Sequence, residues 1–144
     1  MGMRKPEQAL WDRLCKVMGT RWRADRVENK LLQGMPDVYF GVSPQLHGWI
    51  ELKVLPEFPK WNKTAVKVPH YTAWQANWHW TRREFGTKSW ICVQHQDMMY
   101  VFPSRLALAL FEGMAAPEFR MAAVAVDLQK ASDLDIIDAL LRAR

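Results

Sequence analysis

The chain has 144 residues, of which 49% are hydrophobic and 24% charged, and its formal net charge is +5. That length suits one domain with a sizeable core, and the apolar-to-charged balance excludes a disordered or fibrous polymer. No apolar run approaches the roughly 20 residues a bilayer span needs, and the opening MGMRKPEQ has no signal-peptide hydrophobic region, so a soluble cytoplasmic protein with no membrane partner is expected.

Pro6 suits the first turn of a helix that runs to about Met18 and stops at Gly19. Leu10, Trp11, Leu14, Val17 and Met18 recur at helical spacing as its buried stripe, and Glu7 lies on the same inward side. Residues 21–30 are extended in character but polar. Gly34-Met35-Pro36 signals a turn before a strand over Asp37–Val42, and Ser43–His47 a second turn before a strand over Trp49–Val54. Strands joined so closely should form an antiparallel hairpin. Residues 55–70, with Pro56, Pro59 and Pro69, read as loop. Tyr71–Phe85 reads as a helix with Tyr71, Trp74, Trp78 and Phe85 on its apolar face and Gly86 closing it. Ser89–His95 and Met98–Phe102 form a second hairpin about Gln96-Asp97. Ser104 is expected to cap a short helix ending near Gly113. An AAVAV strand and a final helix opened by the capping-box pattern Ser132-Asp-Leu-Asp135 complete the chain. The order α-β-β-β-α-β-β-α describes a single α/β domain over residues 1–144, a central mixed β-sheet flanked by helices.

The chemistry concentrates in Pro36-Asp37 and Glu51-Leu52-Lys53. Alternate side chains of a strand share a face, so Glu51 and Lys53 project to one side while Ile50, Leu52 and Val54 project to the other. An ionic pair within a run of Ile, Leu and Val is costly unless it has partners. Asp37 begins the neighbouring strand and comes close to Glu51. Two carboxylates brought together repel unless a cation lies between them, and hard oxygen ligands, water and phosphate suit Mg²⁺. Such a metal polarises a phosphate and lowers the pKa of an attacking water, while Lys53 neutralises developing charge. These are the parts that phosphodiester hydrolysis needs.

GMPDVYF followed by GWIELKV resembles the PD-(D/E)xK nuclease superfamily, with Pro36-Asp37 and Glu51-x-Lys53 as its signature. The nearer likeness is to small phage and repair nucleases of the VRR-NUC and Holliday-junction-resolvase type. The resemblance covers roughly residues 7–103 and leaves 104–144 as an extension. It implies a restriction-endonuclease-like core, catalytic Asp37, Glu51 and Lys53, and Mg²⁺ as cofactor with Mn²⁺ able to substitute. It also implies a further glutamate from the first helix, matched by Glu7, and a glutamine after the core strand, matched by Gln75. Glu28 is an alternative or additional metal ligand; Glu7 has the better helical argument.

The basic excess lies early in the chain: residues 1–30 carry eight Lys/Arg against four Asp/Glu, residues 104–144 five against six. Lys60, Trp61, Lys63 and Lys67, directly after the Glu51 strand, are candidates to follow a DNA backbone, and Arg21, Arg23 and Arg26 form a second strip. Of the eight tryptophans, 74 and 78 are expected in the core and Trp80 off the main stripe. Cys15 and Cys92 form no CxxC pair, and His47, His70, His79 and His95 have no zinc spacing. The expected function is a Mg²⁺-dependent endodeoxyribonuclease, selective by resemblance for branched DNA such as Holliday junctions and acting as a homodimer. The alternatives are a nicking or flap- or end-directed nuclease on duplex DNA, a catalytically silent DNA-binding module of the same fold, and a protein-interaction module.

Overall fold

A computed structural model describes residues 3–27 and 33–144. Glu28 lies outside the described residues. Helix α1 (Lys5–Met18) carries Pro6 in its first turn and buries Glu7, Leu10, Leu14 and Met18. The polar segment after it forms β1 (Arg23–Arg26), which leads into β2 (Val38–Ser43) and β3 (Leu46–Val54). The turn between β2 and β3 is tighter than the sequence suggests, because Leu46 and His47 pair back onto Ser43 and Gly41 across a bulge. Beyond β3 come β4 (Ala65–Val66), α2 (Ala73–Arg82), β5 (Ser89–His95) and β6 (Met98–Pro103). The remainder supplies α3 (Ala107–Glu112), β7 (Met114–Ala115), α4 (Ala116–Ala122), β8 (Val124–Asp127) and α5 (Asp133–Arg142).

Six strands form one mixed sheet in the order β1-β2-β3-β5-β6-β8. Only β3 and β5 run parallel, with Glu51 opposite Ile91 and Lys53 opposite Val93; the crossover between them carries α2. The other neighbours are antiparallel. The expected mixed sheet flanked by helices is therefore present, an arrangement consistent with a restriction-endonuclease-like core. Residues 104–144 belong to it too: β8 extends the sheet beyond β6, and α5 packs beside α1.

The sheet is buried on both faces. On one side Leu10 and Leu14 of α1 and Ile136 and Leu140 of α5 meet Phe40, Ile50, Leu52 and Cys92. On the other, Ala76 of α2, Leu110 of α3 and Phe119 of α4 meet Ile91, Val93 and Phe102. Three sequence expectations fail. Trp74 is 64% and Phe85 81% exposed, so the buried stripe of α2 is instead Ala76 and His79. Ala76 and His79 are the α2 residues turned into the molecule, His79 hydrogen-bonding Ser89, and that rotation leaves Trp74 toward solvent while Trp78 packs against Trp49. Ser104 makes no cap; it opens a 3₁₀ turn, and α3 starts at Ala107 without a side-chain cap. The Ser132–Asp135 capping box does form, as does the α2 box between Thr72 and Gln75.

Candidate active site

The site lies where β2 begins. Its first ladder residue is Val38, opposite Ile50, while β3 continues to Val54. Pro36 has no N–H to donate, so the ladder ends there. The Asp37 carboxylate takes over, accepting the Leu52 N–H at 2.8 Å. A side chain thus satisfies the backbone group that a longer strand would have paired, and it is held beside β3 as a result. The Val27 N–H donates to the Asp37 carbonyl at 2.7 Å and fixes the other side of this residue. The preceding turn needs glycine: Gly34 has φ of +85°, and a Cβ there would meet the Trp74 carbonyl oxygen at 2.3 Å. The Gly-Met-Pro-Asp segment is therefore seated against α2.

Glu51 and Lys53 project to the α2 side and are 0% and 5% exposed. Glu51 has several neighbours at moderate distance. Lys53 Nζ lies 3.7 Å from Oε2, Gln75 Nε2 donates to Oε2 at 3.3 Å, and His79 Nε2 stands 3.7 Å from Oε1. Lys53 is pinned by donating to the His70 carbonyl at 2.9 Å, where the chain turns with φ of +62°. Gln75 is oriented by its capping box: its Oε1 accepts the Thr72 N–H at 3.0 Å, which leaves the amide NH₂ for Glu51.

Burial, then the facing Glu51, push the Asp37 carboxyl up to about 8. Burial pushes Glu51 up as well, against the opposing pull of Lys53. With no cation present, two buried carboxyls facing each other favour retention of a proton. Burial pushes His79 down to about 3, so its imidazole is neutral, with Nδ1 2.8 Å from Ser89 Oγ. Among the described residues, the buried side-chain atoms without a hydrogen bond are Glu7 Oε2, Glu51 Oε1 and His79 Nε2. Glu51 Oε1 and His79 Nε2 face each other, and the Glu7 charge adds to the upward push on Glu51. Glu7 is 5% exposed and lies 3.7 Å from Arg4 Nε.

The donor set is compatible with a hard divalent cation. A cation replacing the retained proton would relieve the Asp37–Glu51 repulsion and occupy the unused Glu51 oxygen. Among the described residues, no three Asp, Glu, His or Cys side chains converge closely enough to enclose an ion by themselves. Mg²⁺ commonly keeps water and takes one or two carboxylates plus phosphate oxygens.

The other candidates are spread more widely. Lys60, Trp61 and Lys63 are exposed in the loop after β3, Trp61 to 75%. Lys67 donates to the Glu112 carbonyl at the end of α3. Arg21 is paired with Asp133 at 3.0 Å. Arg23 is exposed at the far end of β1, opposite Gly41, whereas Arg26 lies opposite Val38 and donates to Gln8, next to Glu7. His79 had no assigned part in the sequence reading; its position four residues after Gln75, on the same helix face, was the available signal.

No family model and no curated protein sequence matches the chain. Among solved structures it is similar to the Holliday junction resolvase Hjc of the archaeal hyperthermophile Archaeoglobus fulgidus. The TM-score is 0.49 at 16% identity, covering 82% of this chain and 97% of that one. The chemistry proposed below stands on this chain's own side chains.

Proposed function

We propose that this chain is a Mg²⁺-dependent endodeoxyribonuclease with Asp37, Glu51 and Lys53 as its catalytic residues. The observation that carries the proposal is the pairing of two facing, strongly perturbed carboxyls with a buried lysine at the point where the β2–β3 ladder ends. Perturbed titratable groups tend to cluster at functional sites. Asp37 and Glu51 hold the metal, with Glu7 acting on it through water; Glu28 is a further ligand candidate. The bound metal supplies Lewis-acid polarisation of the phosphate and a more acidic water. Lys53, fixed by the His70 carbonyl, offers its remaining N–H groups and charge to a non-bridging phosphate oxygen. Gln75 holds the Glu51 carboxylate in one orientation.

DNA reaches the site over Lys60, Trp61 and Lys63, with Arg23 on the β1 side. Lys67, Arg21 and Arg26, each already engaged by protein groups, contribute charge rather than direct contacts. Branched DNA of the four-way-junction type is the proposed substrate, and a homodimer places two such sites for paired cuts. Both are carried by the motif resemblance.

The test is cleavage of end-labelled four-way junction, linear duplex and single strand by wild type and Asp37→Ala, with Mg²⁺, Mn²⁺ or EDTA. Metal-dependent cutting of the junction, lost in Asp37→Ala, is expected. Equal cutting of all three substrates overturns junction selectivity, and junction binding without cutting in either metal identifies a silent binding module.

A further inference from the structure

At the N-terminal end of β5 the surface opens into a concavity of about 620 Å³, ample for a nucleotide. Its rim carries Arg83, Lys88, Arg105 and Arg144, and no acidic side chain lines it. Between these cations the wall mixes apolar residues, Leu141 and the largely buried Trp90 and Leu140, with the polar Thr87, Ser89 and Ser104. None of the four cations forms an ion pair with an acidic side chain among the described residues, although the protein has 15 Asp and Glu in total.

The cations are nevertheless held in place. Lys88 Nζ donates to the Gln45 carbonyl at 3.0 Å, Arg105 Nε to the Arg144 backbone oxygen at 2.6 Å, and Arg144 Nε to the Leu141 carbonyl at 2.7 Å. The Arg83 guanidinium lies over the Trp80 ring at 3.9 Å. Each side chain spends one donor or one face on the protein and keeps further N–H groups for an anion, which lowers the ordering cost of binding. The wall is fixed too: the Trp90 indole N–H is shared between the Leu140 and Ala143 oxygens at 3.0 and 2.9 Å.

We infer that this concavity is a nucleotide subsite, its cationic rim taking phosphate oxygens and its wall the sugar or base. It is physically linked to the candidate active site. Ser89 lines it and is hydrogen-bonded to His79, whose other nitrogen faces Glu51. Under the nuclease reading on which it rests, the subsite holds a nucleotide of the bound strand away from the scissile phosphate. A free nucleotide has the same chemistry.

Binding measured in EDTA separates this inference from catalysis, since neither metal nor cleavage is required. The probes are a fluorescein-labelled single-stranded oligonucleotide, a labelled duplex and a labelled adenosine diphosphate. Wild type is compared with Arg83→Glu/Lys88→Glu and with Lys16→Glu/Lys130→Glu, an equal charge change on exposed residues elsewhere. The pocket variant should lose at least about tenfold in affinity, and its log-affinity against log-salt slope should flatten by about two. The control should change about twofold, and wild-type binding should shift the Trp90 indole resonance. Loss with the oligonucleotides alone makes the ligand a strand; loss with the diphosphate as well makes it a free nucleotide. Equal losses in the two variants, or a Trp90 resonance unmoved by every probe, overturn the inference. If DNA binds through this pocket but is never cut, the inference stands and the nuclease reading falls.

Discussion

On the α1 side of β3, Ile50 and Leu52 are 2% and 0% exposed among Leu10, Leu14 and Phe40. On the α2 side of the same strand, Glu51 and Lys53 are 0% and 5% exposed among Gln75, His79 and the His70 carbonyl. The degree of burial is the same and its energetic meaning is opposite. The apolar face gains free energy for every methylene removed from water. The polar face gives up hydration and recovers only part of it, because Glu51 Oε1 and His79 Nε2 have no hydrogen bond. One face of the strand maintains the fold, and the stability it supplies lets the other hold two buried carboxyls that repel when both are charged.

That contrast can be broken by two substitutions at residues that touch, one on each side of it. Leu52→Ala should cost about 2–5 kcal/mol of folding free energy, as expected for a sealed core leucine, measured by urea unfolding. Asp37→Asn keeps an oxygen for the Leu52 N–H and removes one member of the facing carboxyl pair. It should leave metal-free stability at pH 8 unchanged or higher, while lowering Mg²⁺-dependent cleavage by at least about 100-fold. A large loss of stability in Asp37→Asn would mean that the polar face is structural after all.

The same contrast explains what could be read from the sequence. Alternation in Ile50-Glu51-Leu52-Lys53-Val54 placed the carboxylate and the ammonium on one face, and Pro36-Asp37 marked the end of the partner strand. Glu7 was legible from helical spacing and is buried as expected. The exposed tryptophan of α2 was not legible, because an aromatic stripe at helical spacing normally marks a core face, and here tertiary packing selects Ala76 and His79 instead. The α2 capping box was present in Thr72 and Gln75, but its consequence, an amide aimed at Glu51, depends on where the helix sits over β3. Ser89 and the basic rim around it gather residues from the β2–β3 turn, the end of α2 and the C-terminal segment, distances along the chain that no local pattern reports.

A smaller effect follows from the proton retained by Asp37 and Glu51. Asp37 is raised from 3.8 to about 8, and Glu51 moves the same way. Through this pair the metal-free folded state holds more protons than the unfolded chain between about pH 4 and 8. His79, pushed down to about 3, acts in the opposite sense below 6.5 in wild type and variant alike. The pair's contribution is fully present below pH 4 and is lost as pH rises through 8. The melting temperature of metal-free wild type should fall relative to Asp37→Asn across that interval. Mg²⁺ competes with the proton, so it should raise the melting temperature more at pH 8.5 than at pH 6. Parallel profiles for the two proteins would show that the carboxyls are not coupled.

The smallest effect sharpens the comparison from the solvent side. Trp74 directly precedes Gln75, yet it is 64% exposed, while its carbonyl packs against Gly34. Trp74→Ser should therefore change stability by no more than about 0.5 kcal/mol, readable in the same urea unfolding experiment. An exposed indole beside the site offers a face on which a base can stack, worth about 1–3 kcal/mol for single strands. Single-strand binding should weaken accordingly, roughly 5- to 150-fold, while duplex binding changes little. An equal loss for both forms would assign the ring to backbone contact instead. A loss of stability without any change in binding would place it with Leu52, on the side of the molecule that only holds the fold together.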